Sequence, residues 1–254
     1  MNLSTQSWSI IIFAFNEENS IQKVIEESLK VLEKIAPFQN ELIIVDDGST
    51  DHTVKIIEDS IRSAKNAKLV VHHKNKGIGE ALMTGYKLAK FENICAIPAD
   101  GQFDIKELLP YSNIAEHTVI SFYRVVKTRY SIYRKVLSFG NKIFNRYFLS
   151  IYIKDVNWVK IYKKLFFDEI NPVLTSSLVE SEICAKMVQN NYKIIEIESK
   201  YNARQGGISK GSSPKTIMRA VLELFKLFIV IRFNYKKHNK KQQLNSKESV
   251  ADSN

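Results

Sequence analysis

The chain has 254 residues, of which 44% are hydrophobic and 25% charged, with only 9 Gly and 5 Pro. This composition is globular and excludes a disordered, collagenous or disulfide-stapled chain. The formal net charge of +10 is uneven, since residues 1–123 carry 12 basic against 17 acidic residues and residues 124–164 carry 11 against one. An acidic first half argues against a nucleic-acid partner and favours a metal in one half and an anion in the other, although lysines that only aid solubility would give the same bands.

The N-terminal residues lack the basic-then-apolar layout of a secretory signal. We find no uncharged apolar run near the roughly 20 residues that a membrane-spanning helix needs. Cys95 and Cys184 have no close cysteine partner. These features predict a protein on the cytoplasmic side with unpaired thiols.

Strands and helices are predicted to alternate over the first hundred residues. Short apolar runs at Ser9–Phe15, Glu41–Val45, Leu69–Val71 and Ile94–Ile97 are typical of buried parallel strands. Apolar residues recur at helical spacing within 21–35 and 81–89. The alternation predicts an open α/β sheet whose ligand site lies outside the carboxyl ends of the strands.

Polar residues follow each of these four strands. They are Asn16–Glu18, Asp46–Asp51, His73–Gly79 and Asp100–Asp104. Each group alone is also typical of a turn or a helix cap. Four groups in a row predict one shared crevice. The Gly77-Ile78-Gly79 segment lacks the third glycine of a dinucleotide fingerprint, so a nicotinamide cofactor is not favoured.

The same stretches carry four motifs: Phe-Ala-Phe-Asn-Glu-Glu, Ile-Val-Asp-Asp-Gly-Ser-Thr-Asp, Asn-Lys-Gly-Ile-Gly-Glu-Ala-Leu and Ala-Asp-Gly-Gln-Phe-Asp. Together they resemble the nucleotide-sugar half of family 2 glycosyltransferases, in particular the polyprenyl-phosphate (dolichol-phosphate) sugar synthases, from about Ser9 to Lys210. The resemblance implies a GT-A type α/β fold, with a Rossmann-like, mostly parallel sheet and helices on both faces. A single domain would span 1–213, with a nucleotide-sugar half of about 1–123 and an acceptor half of about 124–213.

The resemblance also implies a donor site and a metal site. Phe15, Glu17, Val45 and Asp47 would line the base and ribose, Ala99 and Asp100 would contact the donor, and Asp100 and Gln102 would hold Mg²⁺ or Mn²⁺. A nucleotide diphosphate brings about two negative charges, which a divalent cation can balance in an acidic half. Pro98 replaces the first Asp of the usual Asp-x-Asp motif, and Asp104 is the nearest substitute carboxylate.

Basic residues of the second half would meet the diphosphate. Arg124 follows the predicted strand Thr118–Phe122 and matches a basic residue of the synthase pattern, and this resemblance implies that it faces the diphosphate. Arg204 and Lys210 lie in the Gly-rich loop Tyr201–Lys210, which resembles a loop of the synthases that folds over the diphosphate. The alternative for this loop is a solvated linker.

Asp155 and Glu182 are the candidate catalytic carboxylates. Asp155 begins a segment that resembles Asp-x-x-Ser-Gly-Phe of the family, with Ser-Gly-Phe replaced. Glu182 matches an acidic residue that relatives carry near the attacking group, although Glu180 and Glu182 are equally consistent with plain helix-start carboxylates. A hydroxyl acceptor needs such a base, whereas a phosphate acceptor is already ionised.

The C-terminal end has an apolar segment that is interrupted by charged residues and followed by a cluster of lysines. Residues 214–234 predict an amphipathic helix lying in the membrane interface, and 235–254 a disordered basic tail attracted to an anionic membrane surface. A buried core helix with a solubilising tail has the same periodicity. With the resemblance, this predicts a peripheral membrane enzyme that moves a sugar from a UDP- or GDP-linked donor to a lipid-phosphate acceptor, polyprenyl phosphate, with inversion. The alternatives are a soluble or glycan hydroxyl acceptor with Glu182 as base, and a catalytically silent nucleotide-sugar-binding protein.

Overall fold

The computed structural model of the protein describes residues 6–125, 143, 145–147, 149–176, 178–202, 223 and 226–229. Within these described residues, the strands are β1 (Trp8–Ala14), β2 (Asn40–Asp46), β3 (Ala67–Val71), β4 (Asn93–Pro98), β5 (Thr118–Arg124), β6 (Lys160–Lys163) and β7 (Lys193–Ser199). The helices with both ends described are α1 (Ile21–Ile35), α2 (Thr53–Ile61), α3 (Ile78–Leu88), α4 (Lys164–Ile170) and α5 (Val179–Gln189), and a 3₁₀ helix spans Ile105–Tyr111. The four predicted strands and both predicted helices of the first half are thus confirmed.

The seven strands form one sheet in the order β3-β2-β1-β4-β6-β5-β7. The pairs β3–β2, β2–β1, β1–β4 and β5–β7 are parallel, while β6 runs antiparallel to both β4 and β5. The predicted mostly parallel sheet is therefore confirmed. The register pairs Phe13 with Val45 on one side and with Pro98 on the other. The carboxyl ends of β2, β1 and β4 consequently lie side by side.

Side chains of each central strand alternate between two cores. Ile11 of β1 packs with residues of α3, α4 and α5, whereas Ile10 and Ile12 pack with α1, α2 and the 3₁₀ helix. These strand side chains are fully buried, as expected for a sheet covered on both faces. The predicted helices on both faces are confirmed.

The predicted first strand differs from β1 at its end. The predicted strand extends to Phe15, whereas β1 ends at Ala14. The chain turns out of the sheet here, since Asn16 adopts a positive φ of 55°. Strand β6 has only four residues. So short a strand gives little periodicity from which to predict it.

Arg204, Lys210 and the tail 235–254 lie outside the described residues, as does the C-terminal amphipathic helix except at 223 and 226–229. Within that helix, Leu227 is fully buried in the core formed by α3, α4 and α5. In the part of the chain that the structure describes, we find no helix of the length and apolarity that a membrane crossing requires.

Candidate active site

The loops that follow β1 and β2 are joined by hydrogen bonds. The Asn16 amide nitrogen donates to Ser49 Oγ at 2.8 Å, and the Thr50 amide donates back to Asn16 Oδ1 at 2.8 Å. The Glu17 amide donates to Thr53 Oγ1, also at 2.8 Å. Two predicted donor-site segments therefore form one rigid rim at the carboxyl end of the sheet.

Asp46 and Asp47 are both buried and both bind backbone. Asp46 accepts the Ser49 amide at 2.8 Å. Asp47 accepts the amides of Lys76 at 3.0 Å and Gly77 at 2.7 Å, and its Oδ1 lies 2.7 Å from His72 Nδ1. The carboxylate of Asp47 thus holds the loop between β3 and α3 against the end of β2.

Gly48 is required by this close packing. Its φ is +74°, and a Cβ at this position would lie 2.6 Å from the backbone carbon of Lys74. A residue with a side chain would meet both conformational strain and a backbone clash. The Asp-Asp-Gly-Ser motif is therefore explained partly by the approach of the β3–α3 loop.

The other predicted donor residues occupy the same edge with different exposure. Phe15 and Glu17 are partly exposed, whereas Val45 and Ala99 are buried. The Ala99 amide donates to the carbonyl of Phe13 at 3.2 Å, which carries the pairing of β1 and β4 one residue further. A ligand at this edge would therefore meet the side chains of Phe15 and Glu17 directly.

Asp100 and Gln102 lie in the turn after β4. The Gln102 amide donates to Asp100 Oδ1 at 3.1 Å, and the Gln102 side-chain amide donates to the hydroxyl of Tyr201. Phe103 and Tyr201 form an isolated bridge. The turn is thereby attached to the residues that follow β7, so the two halves of the sheet share this site.

Asp104 does not take part in this turn. It precedes the 3₁₀ helix, and its Oδ1 accepts the Lys106 amide at 3.1 Å. Its carboxylate therefore acts as a helix cap.

Arg124 and Asp155 form a two-pronged ion pair. Nε of Arg124 donates to Oδ2 of Asp155 at 2.7 Å, and Nη2 donates to Oδ1 at 3.1 Å. The guanidinium carbon lies 4.4 Å from the ring centroid of Trp158 and 5.9 Å from that of Tyr201. The aromatic platform of Trp158 and Tyr201 was not predicted as part of the site. The sequence did hold a signal for these two aromatic residues. Trp158 ends the segment that contains Asp155, and Tyr201 begins the Gly-rich loop, so both belong to segments that resemble motifs of the family.

Glu182 has an environment of its own in α5. Its side chain is 0% exposed, and it accepts the amides of Val173 at 3.0 Å and Leu174 at 2.7 Å. Lys186, one turn later, lies 2.6 Å from its Oε1. The side chain of Glu182 is therefore enclosed against the loop between α4 and α5, where an ion pair and two amides bind it.

Comparison with known proteins identifies the class. The model of the Glycosyl transferase family 2 matches residues 9–167, which is more than half of the chain. The chain therefore belongs to this family and is a family 2 glycosyltransferase, as its motifs predicted.

Two relatives belong to the branch that the motifs resemble. A dolichyl-phosphate beta-glucosyltransferase of Trichomonas vaginalis is 24% identical over 253 residues, covering 89% of this chain and 74% of that protein. An undecaprenyl-phosphate 4-deoxy-4-formamido-L-arabinose transferase of Proteus mirabilis is 30% identical over 122 residues, covering 48% of this chain. The second match spans only 36% of the length of the Proteus protein.

A solved structure has the same fold. Glucosyl-3-phosphoglycerate synthase from Mycobacterium tuberculosis, in complex with Mn²⁺, UDP and glucosyl-3-phosphoglycerate, superposes with a TM-score of 0.60 at 15% identity, covering 91% of this chain and 80% of that chain. The predicted GT-A fold is confirmed by this likeness.

Proposed function

We propose that the protein transfers a sugar from a nucleotide diphosphate sugar, UDP- or GDP-linked, to a lipid-phosphate acceptor, polyprenyl phosphate, with inversion at the anomeric carbon. The observation that carries the proposal is the link from Asp100 and Gln102 through Tyr201 to Arg124. This link joins the candidate metal ligands at the end of β4 to a guanidinium at the end of β5. A diphosphate between them would meet the guanidinium on one side and, on the other, a cation held by Asp100 and Gln102.

The donor set at the end of β4 fits a divalent cation of the Mg²⁺ or Mn²⁺ type. Asp100 supplies a carboxylate, and the Gln102 amide, whose nitrogen is engaged by Tyr201, supplies its carbonyl oxygen. Such ions use oxygen ligands, and Mg²⁺ is commonly held by one or two carboxylates, substrate phosphates and water. Among the described residues we find no cluster of three His, Cys, Asp or Glu, so the diphosphate itself would complete the coordination.

A bound cation would neutralise charge on the leaving nucleoside diphosphate. Arg124 adds a second positive group, which lies over the Trp158 ring and is oriented by Asp155. Because such groups are fixed before the reaction, they stabilise developing charge without reorganisation. We expect Arg204 and Lys210 to add positive charge from the loop after Tyr201.

The two candidate bases support a phosphate acceptor. Asp155 is bound by the Arg124 fork, and Glu182 is bound by Lys186 and two backbone amides. These donors occupy the carboxylate oxygens with which a general base would take the proton of a hydroxyl acceptor. A phosphate acceptor attacks without a base, so it suits this arrangement better than a hydroxyl does.

The relatives add support from sequence, since the Trichomonas and Proteus proteins are named for transfer involving dolichyl and undecaprenyl phosphate. The Mycobacterium structure contains UDP and Mn²⁺. With the basic C-terminal segment, these names favour a peripheral enzyme at an anionic membrane surface.

The test is transfer of label into lipid. Full-length protein is incubated with radiolabelled UDP- and GDP-sugars, polyprenyl phosphate and Mn²⁺, and the organic phase is counted. We expect label to enter with one donor class and to disappear with Asp100→Asn. Label only in water-soluble glycan would favour the hydroxyl acceptor, and donor binding without transfer would favour the silent binding protein.

A further inference from the structure

Lys160 is a buried cation whose donors are all used. Its side chain is 0% exposed. Its Nζ donates to the carbonyl oxygen of Val156 at 2.6 Å, to that of Trp158 at 3.0 Å and to Oε2 of Glu180 at 3.0 Å. An ammonium group has three hydrogens, so each has an acceptor.

Glu180 is equally occupied. It accepts the hydroxyls of Tyr86 and Tyr162, each at 2.9 Å, as well as the Lys160 ammonium. Burial is the strongest single influence and would lower the pKa of Lys160, but the charge and hydrogen bond of Glu180, together with Cys184 and Asp155, raise it, so Lys160 is charged at neutral pH. Buried ion pairs seldom stabilise a fold more than apolar side chains of similar volume. Stability alone therefore gives no reason for a charge here.

The contacts of the ammonium give a reason. The carbonyls of Val156 and Trp158 belong to the segment 151–159, which contains no helix or strand. Backbone bonding to β5 continues from β6 to Val159, whose carbonyl oxygen accepts the Phe122 amide at 3.0 Å, and Lys160 is the first residue of β6 and is fixed by the sheet. The ammonium therefore connects the segment to the sheet.

The same segment carries the groups that hold Arg124. Asp155 accepts hydrogen bonds from the guanidinium, and the guanidinium lies over the ring of Trp158. A path of direct contacts thus runs from Glu180 through Lys160 and the segment 155–158 to Arg124. In the Asp-x-x-Ser-Gly-Phe pattern counted from Asp155, Lys160 stands at the Phe position.

We propose that Lys160, held by Glu180, is a positioning residue for Arg124. By fixing the carbonyls of Val156 and Trp158, it sets where Asp155 and Trp158 hold the guanidinium relative to the donor diphosphate. This inference rests on the proposed function, because the diphosphate is the group that Arg124 would meet.

The main test removes both buried charges together and asks whether activity is lost along with the contacts of the Lys160 ammonium to the segment 151–159. Lys160→Met alone leaves an uncompensated carboxylate at Glu180, so the double variant Lys160→Met/Glu180→Gln is used, which removes both charges at similar volume. We expect it to fold, with an unchanged circular dichroism spectrum, but to lose about 10- to 100-fold in kcat/KM, since a displacement of about 1 Å in a positioned group can cost roughly 100-fold. A purely structural ion pair would regain full activity in this variant, and that result would overturn the proposal.

Two single variants provide controls. Lys163→Met removes a buried ammonium of the same strand, which pairs with Glu92. In the part of the chain that the structure describes, this ammonium has no hydrogen bond or ion pair with the segment 151–159. We expect its activity per folded molecule to match that of the parent. Glu180→Gln keeps an oxygen acceptor for Nζ but removes the counter-charge of the buried ammonium, so its stability should fall. Activity is therefore compared per folded molecule, where it should lose clearly less than the double variant because Nζ still has its three acceptors. A loss as large as that of the double variant would assign the effect to the charge pair and overturn the proposal.

A spectroscopic readout needs no substrate. The chain has two tryptophans, Trp8 and Trp158, so Trp8→Phe leaves Trp158 as the only indole emitter. In this background, Lys160→Met/Glu180→Gln and Arg124→Ala should both shift the Trp158 emission, and Lys163→Met should not. If the parent protein transfers no sugar, the proposed function fails and the emission decides. A shifted spectrum then supports the positioning of the segment, and an unchanged spectrum overturns it.

Discussion

Arg124 and Asp155 are held together by two parallel hydrogen bonds, at 2.7 Å and 3.1 Å, although they lie 31 residues apart in the chain. Their side chains are 24% and 17% exposed, so the pair lies partly out of water. The sequence suggested separate roles for them, a phosphate contact for Arg124 and a base for Asp155. The geometry makes them one unit in which the carboxylate orients the guanidinium.

We expect Arg124→Lys to lower kcat/KM by roughly 30-fold, because an ammonium cannot reproduce the fork or the stacking on Trp158 and a charge-assisted contact is worth about 2 kcal/mol. Asp155→Asn should lower it by about tenfold without changing its pH dependence. Steady-state kinetics between pH 6 and pH 9 measure both effects. Loss of a pH-dependent limb in Asp155→Asn, with a drop above about 1000-fold, would instead identify a general base.

Asp100 is the carboxylate on which metal dependence should rest. Asp100→Asn keeps the volume and an acceptor for the Gln102 amide, so we expect an unchanged fold and a kcat/KM that no Mn²⁺ concentration restores fully. Asp104→Asn is the matched control, because Asp104 caps the 3₁₀ helix. Because asparagine caps a helix about as well as aspartate, it should change stability by only about a few tenths of a kcal/mol and change turnover little. Full activity of the parent protein in excess chelator would contradict the metal site.

The position of the candidate donor site at the carboxyl ends of β1, β2 and β4 could be predicted from the sequence, because it depends on patterns within short stretches of the chain. Apolar runs mark the strands, and the polar groups after them must meet once β2, β1 and β4 are adjacent and parallel. The Arg124–Asp155 pair could not be predicted in this way. It depends on the short antiparallel strand β6, which inserts between β4 and β5 and directs the segment 155–158 toward Arg124.

The role of Glu182 likewise could not be predicted from the sequence, because it depends on contacts that only the tertiary fold creates. Its place in the first turn of α5 is visible in the sequence, and the pattern alone cannot separate a catalytic from a structural carboxylate. Its partners Val173 and Leu174 come from the preceding loop. Only the tertiary fold shows that this carboxylate is enclosed.

We expect Glu182→Gln to destabilise the protein by about 3 kcal/mol, because it leaves the buried Lys186 without a counter-charge. For a chain of this size that corresponds to a fall in Tm of roughly 6–12 °C. Calorimetry measures the stability, and transfer per folded molecule is compared at a temperature at which both proteins are native. With a phosphate acceptor, turnover should change little. A fall of about 100-fold or more would assign a base role to Glu182 and favour a hydroxyl acceptor.

The contribution of the loops after β1 and β2 to the stability of the fold should depend on pH, because Asp51 lies in the second of these loops. Burial is the strongest single influence and raises the pKa of Asp51, but the hydrogen bonds donated by Thr53, together with backbone hydrogen bonds at Glu18 and Asp51, lower the pKa below its usual value. Thr53 in turn accepts the Glu17 amide. Since the folded pKa lies below the unfolded one, the stabilisation is fully present above about pH 4 and is lost as the pH falls through the folded value.

Asp51→Asn should therefore cost about 1 kcal/mol at pH 7 and less at pH 3. Urea denaturation at pH 3, 5 and 7 measures the difference. Asp59→Asn, on an exposed position of α2, controls for a general loss of negative charge. A difference for Asp51→Asn that grows toward low pH would contradict the assignment.

Membrane attachment should depend on the lysines of the tail. Each lysine near an anionic surface contributes about 1 kcal/mol, so replacing Lys236, Lys237, Lys240 and Lys241 by serine should weaken binding to phosphatidylserine vesicles by up to about 4 kcal/mol. The charge-matched control replaces Lys23, Lys30, Lys34 and Lys55, which are exposed on α1 and α2, and should bind like the parent. Co-sedimentation at low and high salt gives the measurement, since an electrostatic contribution falls with ionic strength. Equal weakening in both variants would assign the effect to net charge. A parent protein that stays in the supernatant under all conditions would favour the buried core helix suggested by Leu227 and would remove the physical support for a lipid acceptor.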